Sequence, residues 1–334
     1  MKTEYRKDAV RMADAILAKC DKERPFMIYI HHRVDGDCIG AGCGMAEALR
    51  RMGYQAWVAM PDELPDNMDF LGIEDLLASP ADLPDHIAVA VDCSEGSRMG
   101  ICGEFFEKDE DPIIIDHHVS VKKEGNNIWI NGDASSASEL CYYVIVALEA
   151  KTAVTIFNKR IARCFLTGIV TDTGRFTYTN TRPETLITAG ELLELGGNVT
   201  EISYNLYDRK TKENFRASAL VRTGIRFYCD GKIAVVTASK EDFNRFGAGD
   251  DAIEELPSEL RDIDGVELSV VLRETEGVIR CNLRSNSYFD CSVFAEEFGG
   301  GGHKRAAGFT VPITSPEDIS RVAGEVVTKA SERF

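Results

Sequence analysis

The sequence predicts an α/β protein in which a parallel, doubly wound sheet domain is followed by a smaller α+β domain. In the first half of the 334 residues, short apolar segments alternate with segments of helical spacing, a pattern typical of a buried parallel sheet covered by helices. Near residue 195 the pattern changes to a polar, helix-like stretch that leads into strand pairs. A chain of this length suits two domains, each with its own core.

The predicted elements of the first domain, residues 1–195, follow in order along the chain. The first 20 residues space their apolar side chains as an amphipathic helix does. Buried strands are predicted at 25–31, 54–60, 86–92 and 112–118, and helices at 38–51 and near 136–150, 156–170 and 184–195. Because ligands of such sheets bind beyond the carboxyl ends of the strands, we look for the functional site there.

The second half is predicted to contain a helical connector, residues 196–222, and a domain formed by residues 223–334. One hairpin is expected to turn at Asp230-Gly231, because Asp-Gly is a preferred two-residue turn. A second strand pair is expected to turn at Glu276-Gly277, and the end of the chain reads as a helix, 315–331.

Composition limits the classes of function and the cellular location. The net charge of −17 argues against a protein that grips long duplex nucleic acid, since such affinity comes largely from neutralising phosphates. Small phosphorylated molecules stay open as substrates. We find no run of about 18 uncharged apolar residues, so no membrane span is expected. The first residues lack the apolar core of a signal peptide, and we expect the protein in the cytoplasm.

The ten cysteines are predicted to be reduced core residues, since none forms a CxxC pair and most lie in apolar segments. Cys38 and Cys43 lie beside the first histidine motif, so a thiolate ligand there is an alternative. We consider it the weaker one, because the neighbouring oxygen and imidazole donors suit a harder ion.

Five of the six histidines fall in three short motifs that also contain aspartates or glycines. The first, HHRVDGD, follows a predicted strand and contains His31, Asp35 and Asp37; Asp92 ends another strand, and Asp116, His117 and His118 end a third. Imidazole and carboxylate groups that converge at one edge of a sheet are ligands for divalent metals. The sequence therefore predicts a metal centre.

Each acidic residue also has an ordinary structural interpretation. Asp35 and Asp37 can form a turn around Gly36 or cap a helix, and Asp92 can do the same at its strand end. Asp172 interrupts the apolar segment CFLTGIVTDTGRF, where a charge needs a partner. That partner is either a cation or Arg175.

A glycine run, Gly299 to Gly302, precedes His303 and is a candidate phosphate loop. Glycines let backbone N–H groups converge on an anion, and cationic side chains neutralise it. A flexible turn is the alternative. Arg284, at the end of a predicted strand, is a further candidate for the same phosphate.

Together these motifs closely resemble the DHH phosphoesterases that carry a DHHA1 domain, and in length the chain is similar to the stand-alone nanoRNase/pAp phosphatases. The resemblance implies two Mn²⁺ ions, with Mg²⁺ or Co²⁺ as substitutes, bound in a cleft between the two domains. One ion would be bound by His31, Asp35 and Asp92, and the other by Asp37, Asp92, His117 and Asp172. Asp116 would orient a ligand histidine, and His118 would face the scissile phosphate. Arg284, Gly300, Gly301, Gly302 and His303 would contact substrate phosphate.

The activity that the resemblance implies is hydrolysis of short oligoribonucleotides to mononucleotides and of pAp to AMP. A phosphodiesterase for cyclic or linear di-adenylate is the first alternative, and hydrolysis of inorganic polyphosphate or pyrophosphate is also open. A nucleotide-binding regulator with a vestigial site is the alternative from another class. We expect no membrane and no long duplex among the partners, and the sequence leaves a homodimer open.

Overall fold

A six-stranded parallel sheet organises the first part of the molecule, which extends to Arg209; a second compact unit runs from Lys210 to Phe334. The computed structural model describes residues 3–83, 85–118, 123–315 and 317–334. The helices and strands of the first unit are α1 (Thr3–Lys19), β1 (Phe26–Tyr29), α2 (Gly36–Arg51), β2 (Ala56–Ala59), β3 (Leu77–Ala78), β4 (Ile87–Val91), α3 (Gly103–Phe106), β5 (Ile113–Asp116), β6 (Ile128–Ile130), α4 (Ala137–Thr152), α5 (Lys159–Asp172), α6 (Pro183–Glu194) and α7 (Val199–Ser203).

The strand order of this sheet is β3-β2-β1-β4-β5-β6, and every neighbouring pair is parallel. Along β1, side chains alternate between two cores: Ile28 packs in the larger one, with α1, α2, α4 and α5, whereas Met27 and Tyr29 pack in the smaller one on the other face. Chain order reverses between β1 and β4. Their carboxyl ends therefore flank the crevice in which doubly wound sheets bind ligands.

Helices α2 and α5 approach each other closely because glycines face the contact. A Cβ atom on Gly40 would lie 2.3 Å from the carbonyl oxygen of Cys164. On α5, a Cβ atom on Gly168 would lie 2.4 Å from Oδ1 of Asp37. Neither distance leaves room for a side chain. The backbone of α5 thus lies directly against the acidic start of α2.

The second unit is an α+β domain with a mixed six-stranded sheet of order β11-β12-β10-β9-β8-β7. Its strands β8 and β9 are parallel, and its other neighbouring pairs are antiparallel. The elements are α8 (Lys212–Thr223), β7 (Arg226–Tyr228), β8 (Ile233–Ala238), α9 (Lys240–Asn244), α10 (Leu256–Arg261), β9 (Leu268–Thr275), β10 (Val278–Ser285), α11 (Cys291–Glu296), β11 (Gly301–His303), β12 (Ala306–Pro312) and α12 (Asp318–Ser331).

One buried carboxylate of this unit, Glu267, is surrounded by hydrogen-bond donors. Its oxygens accept from the backbone N–H groups of Ser287, Tyr288 and Phe289 and from the Ser287 hydroxyl, at 2.8 to 3.1 Å. Burial alone would raise the pKa of Glu267, but the hydrogen bonds outweigh burial and hold the pKa below its ordinary value. The charge of Glu267 is therefore stabilised from within the fold.

The predicted fold class is confirmed, as are both turns of the second unit, which join β7 to β8 and β9 to β10 as antiparallel pairs. Sequence analysis missed β3 and β6, which are too short to show a periodic pattern. Among the described helices, none has both the length and the apolarity needed to cross a bilayer.

Candidate metal centre

The loop after β1 brings His31 against the first turn of α2. The Nδ1 atom of His31 lies 2.8 Å from the carbonyl oxygen of His32, a hydrogen-bonding distance. When Nδ1 donates to this carbonyl in the neutral ring, the lone pair that can bind a metal is on Nε2. Asp35 does cap α2, since its Oδ1 accepts from the N–H groups of Asp37 and Cys38. Its other oxygen, Oδ2, lies 3.5 Å from His31 Nε2. Capping thus engages one oxygen and leaves the second directed at His31.

Asp37 is fully buried and bound by the N-terminus of α4. The Ala137 N–H donates to its Oδ2 at 2.7 Å, and the Ser138 N–H donates to its Oδ1 at 2.9 Å. A helix N-terminus stabilises a negative charge, so α4 favours a carboxylate here. Sequence analysis missed this contact. Ser136 followed by Glu139 does indicate the start of a helix, but nothing in that pattern identifies a carboxylate 100 residues earlier as its partner.

Asp92, directly after β4, lies between two histidines. One of its oxygens is 3.2 Å from Nε2 of His31, and the other is 3.3 Å from Nε2 of His117. The residue is 2% exposed, and its backbone has a φ of +58°, which non-glycine residues seldom adopt. Such strained residues cluster at functional sites. Asp92 is therefore the common neighbour of two groups of donors.

Asp116 is the last residue of β5, and the side chain that it contacts is that of His118. Its Oδ1 accepts from the backbone N–H of His118 at 3.0 Å and lies 2.9 Å from Nδ1 of the same residue. The family resemblance implied that Asp116 would orient a ligand histidine. In the structure the histidine that Asp116 contacts is His118, which belongs to a candidate donor group with Asp92 and His117. The orienting role of Asp116 stays a prediction.

His117 faces three carboxylates. Its Nε2 lies 3.2 Å from Asp172, 3.3 Å from Asp92 and 3.8 Å from Asp37. Asp172 ends α5, and its neighbour Arg175 is oriented elsewhere, 3.4 Å from Asp208 and over the ring of Tyr207. The alternative interpretation of Asp172, an ion pair with Arg175, therefore does not describe the structure.

In the second unit, Arg284 and His303 share one row of the sheet. Arg284 on β10 is opposite Ala306 on β12, and Ala306 is opposite His303 on β11. Residues opposite one another in antiparallel strands point to the same face, and two strand spacings separate these two by roughly 10 Å. Of the glycine run, Gly301 and Gly302 belong to β11, and the N–H of Gly300 donates to the carbonyl of Ala295.

The comparisons with known proteins agree with this architecture. The sequence pattern of the DHH family, N-terminal domain, matches residues 25–169, and that of the DHHA1 domain matches residues 230–329. The chain is 32% identical to a Thermus thermophilus protein named bifunctional oligoribonuclease and PAP phosphatase NrnA, over 86% of this chain and 85% of that protein. The chain belongs to the DHH family. A Bacillus subtilis protein of the same name is 26% identical, over 92% of this chain and 95% of that relative.

Solved structures of DHH-type proteins share the fold. An exopolyphosphatase-related protein from Bacteroides fragilis is 23% identical and superposes with a TM-score of 0.81, covering 98% of this chain and 97% of that one. The exonuclease RecJ bound to manganese is 13% identical, with a TM-score of 0.57, and covers 98% and 95%. The family membership predicted from the motifs is confirmed.

The side chains of the DHH domain suit a divalent metal. Three groups of donors each have ligand atoms within 4.8 Å of one another: His31, Asp35 and Cys38; Asp92, His117 and His118; and Asp37, His117 and Asp172. Among the described residues, Oδ1 of Asp92 and Nε2 of His117 are buried without a hydrogen-bond partner. Buried polar atoms rarely stay unpaired, so these two point to a missing ligand. The DHH domain therefore contains a divalent-metal site.

The pKa shifts show how strongly this cluster requires positive charge. Burial, with Asp92 and Asp172 nearby, raises the pKa of Asp37 well above its ordinary value. Burial would lower the pKa of His117, but its contacts with Asp172 and Asp92 outweigh burial and raise it to about 11. Without metal, the imidazole thus keeps a proton that offsets the carboxylates. A divalent cation would displace that proton and add one further positive charge.

Cys38 lies closer to the site than the sequence suggested. Its sulfur belongs to the donor group of His31 and Asp35, and it accepts from the N–H of Asp35 at 3.2 Å. Burial raises the pKa of the Cys38 thiol to about 12. Cys43 is buried in the helical core of the same unit, as predicted for a structural cysteine.

Proposed function

We propose that the chain hydrolyses short oligoribonucleotides to mononucleotides and removes the 3′-phosphate of pAp, with two Mn²⁺ ions as cofactors. The chain is an enzyme of the metal-dependent phosphoesterase class. The observation that carries the proposal is the position of Asp92, whose two oxygens face His31 and His117. A carboxylate placed in this way can bridge two ions. The names of the relatives from Thermus thermophilus and Bacillus subtilis support the substrate class.

The ligand sets we propose combine the donor groups with the contacts of Asp92 to His31 and His117. His31, Asp35 and Asp92 bind one ion, and Asp37, Asp92, His117 and Asp172 bind the other. Two divalent ions held by these residues would lower the pKa of an attacking water molecule and neutralise charge on the phosphate oxygens during in-line displacement. The amides of α4 hold Asp37 in a single orientation, so its position does not depend on the ions.

His118 is the residue we propose to face the scissile phosphate. Its side chain is 39% exposed, whereas Asp116, which holds its Nδ1, is buried. With Nδ1 donating to Asp116, the nitrogen left for substrate is Nε2. A ring in this orientation can donate an N–H from Nε2 to a phosphate oxygen and stabilise the charge that develops there.

Arg284 and His303 of the DHHA1 domain are proposed to bind a second phosphate of the substrate, since they share one face of the sheet. A pair of hydrogen-bond donors on one face of the sheet suits a molecule of one or a few nucleotides, and the net charge of −17 disfavours long duplexes. We therefore propose short oligoribonucleotides, pAp and dinucleotides as partners, and the cytoplasm as the location.

The decisive experiment compares turnover of pApA, pAp, cyclic di-adenylate and pyrophosphate by the Mn²⁺-loaded protein. We expect hydrolysis of pApA and pAp. Exclusive hydrolysis of the cyclic dinucleotide or of pyrophosphate would replace the proposal with one of those activities. Tight nucleotide binding without turnover of any substrate would instead favour a regulator with a vestigial site.

The role of the DHHA1 domain is tested with Arg284→Ala and the matched control Arg280→Ala. Arg280 lies four residues earlier on β10, on the same face of the sheet, and is exposed. Arg284→Ala removes one charge-assisted contact and should raise the KM for pAp roughly ten- to a hundredfold, equivalent to about 1.5–3 kcal/mol. The control should keep its KM. Equal kinetics in both variants would exclude Arg284 from substrate binding.

A further inference from the structure

Cys38 has a position that its structural role in α2 does not fully explain. It is the third residue of the helix, and its sulfur accepts the N–H of Asp35, which completes a capping box. A serine at this position would provide the same acceptor. The sulfur also lies within 4.8 Å of the ligand atoms of His31 and Asp35. Two ligands of one ion lie at most about 4.4 Å apart, the sum of a metal–sulfur and a metal–nitrogen bond, so this spacing is close to what a shared ion requires.

We infer that Cys38 is an additional, soft donor of the metal position formed by His31 and Asp35, and that it raises the affinity of this position for Zn²⁺ and Co²⁺ relative to its affinity for Mn²⁺. The inference rests on the proposed function only in taking His31 and Asp35 as ligands. Thiolate selects softer ions, whereas carboxylate and imidazole alone accept Mn²⁺. When the metal–sulfur bond forms, the S–H proton passes to solvent and the sulfur donates an electron pair to the cation; no oxidation occurs.

Cys93 provides the contrast within the same domain. It follows Asp92 directly and is as buried as Cys38. Both thiols contact backbone carbonyls, Cys38 that of Asp35 and Cys93 those of Tyr29 and Val91, but Cys93 packs in the core on the other face of the sheet. Two buried cysteines therefore lie next to aspartates of the site, and only Cys38 belongs to a donor group among the described residues.

The test loads metal-free protein with Co²⁺ and records the sulfur-to-cobalt charge-transfer band in the near ultraviolet, with bound metal quantified by mass spectrometry. We expect the band in the wild type and in Cys93→Ser, and its loss in Cys38→Ser at unchanged cobalt content. In competition, Cys38→Ser should lower the preference for Zn²⁺ over Mn²⁺ by roughly tenfold. Serine keeps an acceptor for the Asp35 N–H, so the helix cap should survive.

X-ray absorption of the Zn²⁺-loaded wild type gives a second measurement that does not depend on any variant. A sulfur scatterer at about 2.3 Å is expected. Bound metal with only nitrogen and oxygen neighbours would overturn the inference and leave Cys38 as a capping residue, while the proposed ligands would stand. Persistence of the cobalt band in Cys38→Ser would also overturn it. Failure of the wild type to bind any divalent ion would overturn the metal assignment itself, and the inference with it.

Discussion

Two acids of the DHH domain, Asp37 and Asp172, and one acid of the DHHA1 domain, Glu267, respond to burial in opposite ways. In the DHH domain, Asp37 and Asp172 have raised pKa values because burial and neighbouring acids disfavour their charge. In the DHHA1 domain, Glu267 has a lowered pKa because backbone N–H groups and a hydroxyl surround it. Hydrogen bonds within the fold stabilise the charge of Glu267. The charges of Asp37 and Asp172 are disfavoured, and a bound cation would stabilise them.

The difference indicates which buried acids are structural and which bind a ligand. Burial alone does not distinguish them, since Glu267 and Asp92 are both nearly inaccessible to solvent. What distinguishes them is the number of hydrogen-bond donors: four groups of Ser287, Tyr288 and Phe289 donate to Glu267, whereas Oδ1 of Asp92 has no hydrogen-bond partner among the described residues. An unpaired buried oxygen is costly unless something absent binds it.

The largest expected effect separates the two acids by activity. Asp92→Ala removes the proposed bridge, and turnover of pApA should fall by at least about a thousandfold, equivalent to about 4 kcal/mol. Glu267→Gln should retain most of the activity. Fluorescence of Trp57 and Trp129, both in the first unit, checks that the DHH domain stays folded. If Asp92→Ala keeps more than about a tenth of the rate, Asp92 is not the bridge.

Added Mn²⁺ should stabilise only the unit whose acids need a cation. At a concentration of a hundred times Kd, binding adds about 2.7 kcal/mol to the free energy of unfolding. Urea titration followed by tryptophan fluorescence measures this in the first unit, where both tryptophans lie. Asp92→Ala should show a much smaller gain. An equal gain in that variant would mean that Mn²⁺ binds elsewhere.

In metal-free protein, neutralising Glu267 should lower the free energy of unfolding more than neutralising Asp172. Glu267→Gln places an amide N–H against backbone N–H donors and should cost about 2 kcal/mol of unfolding free energy. Asp172→Asn should cost little, because it relieves charge that burial disfavours. Far-ultraviolet circular dichroism in urea compares the two, and hydrogen exchange at Ser287, Tyr288 and Phe289 localises the first effect. Similar costs would contradict the comparison.

The smallest expected effect is a pH dependence of the second unit. The pKa of Glu267 is lower in the folded protein than its ordinary value of 4.5. Its contribution to stability is therefore fully present above pH 4.5 and is lost as the pH falls through the lower, folded-state pKa. The difference in unfolding free energy between wild type and Glu267→Gln should shrink between about pH 6 and about pH 3. A difference that stays constant over this range would show that the charge of Glu267 is not stabilised.

Much of the site was predictable, because the carboxyl ends of adjacent parallel strands share one edge of a sheet. That rule places the side chains after β1, β4 and β5 together. Asp172, at the end of α5, was added because burying an unpaired carboxylate is unfavourable. The contact of Asp37 with the α4 amides was not predictable, since it depends on where a helix 100 residues later begins. Nor was the orientation of Cys38, which depends on a rotamer rather than on spacing. The strands β3 and β6 were missed for lack of length.

The glycines between α2 and α5 have a consequence for how this protein can evolve. Gly40 and Gly168 let the two backbones touch, so the spacing between Asp37 and Asp172 is set by main-chain atoms and not by side chains that could repack. A larger residue at either position must push the helices apart, and with them the two acids. Substitution at these glycines would therefore change the distance between the two acids while both carboxylates are still present.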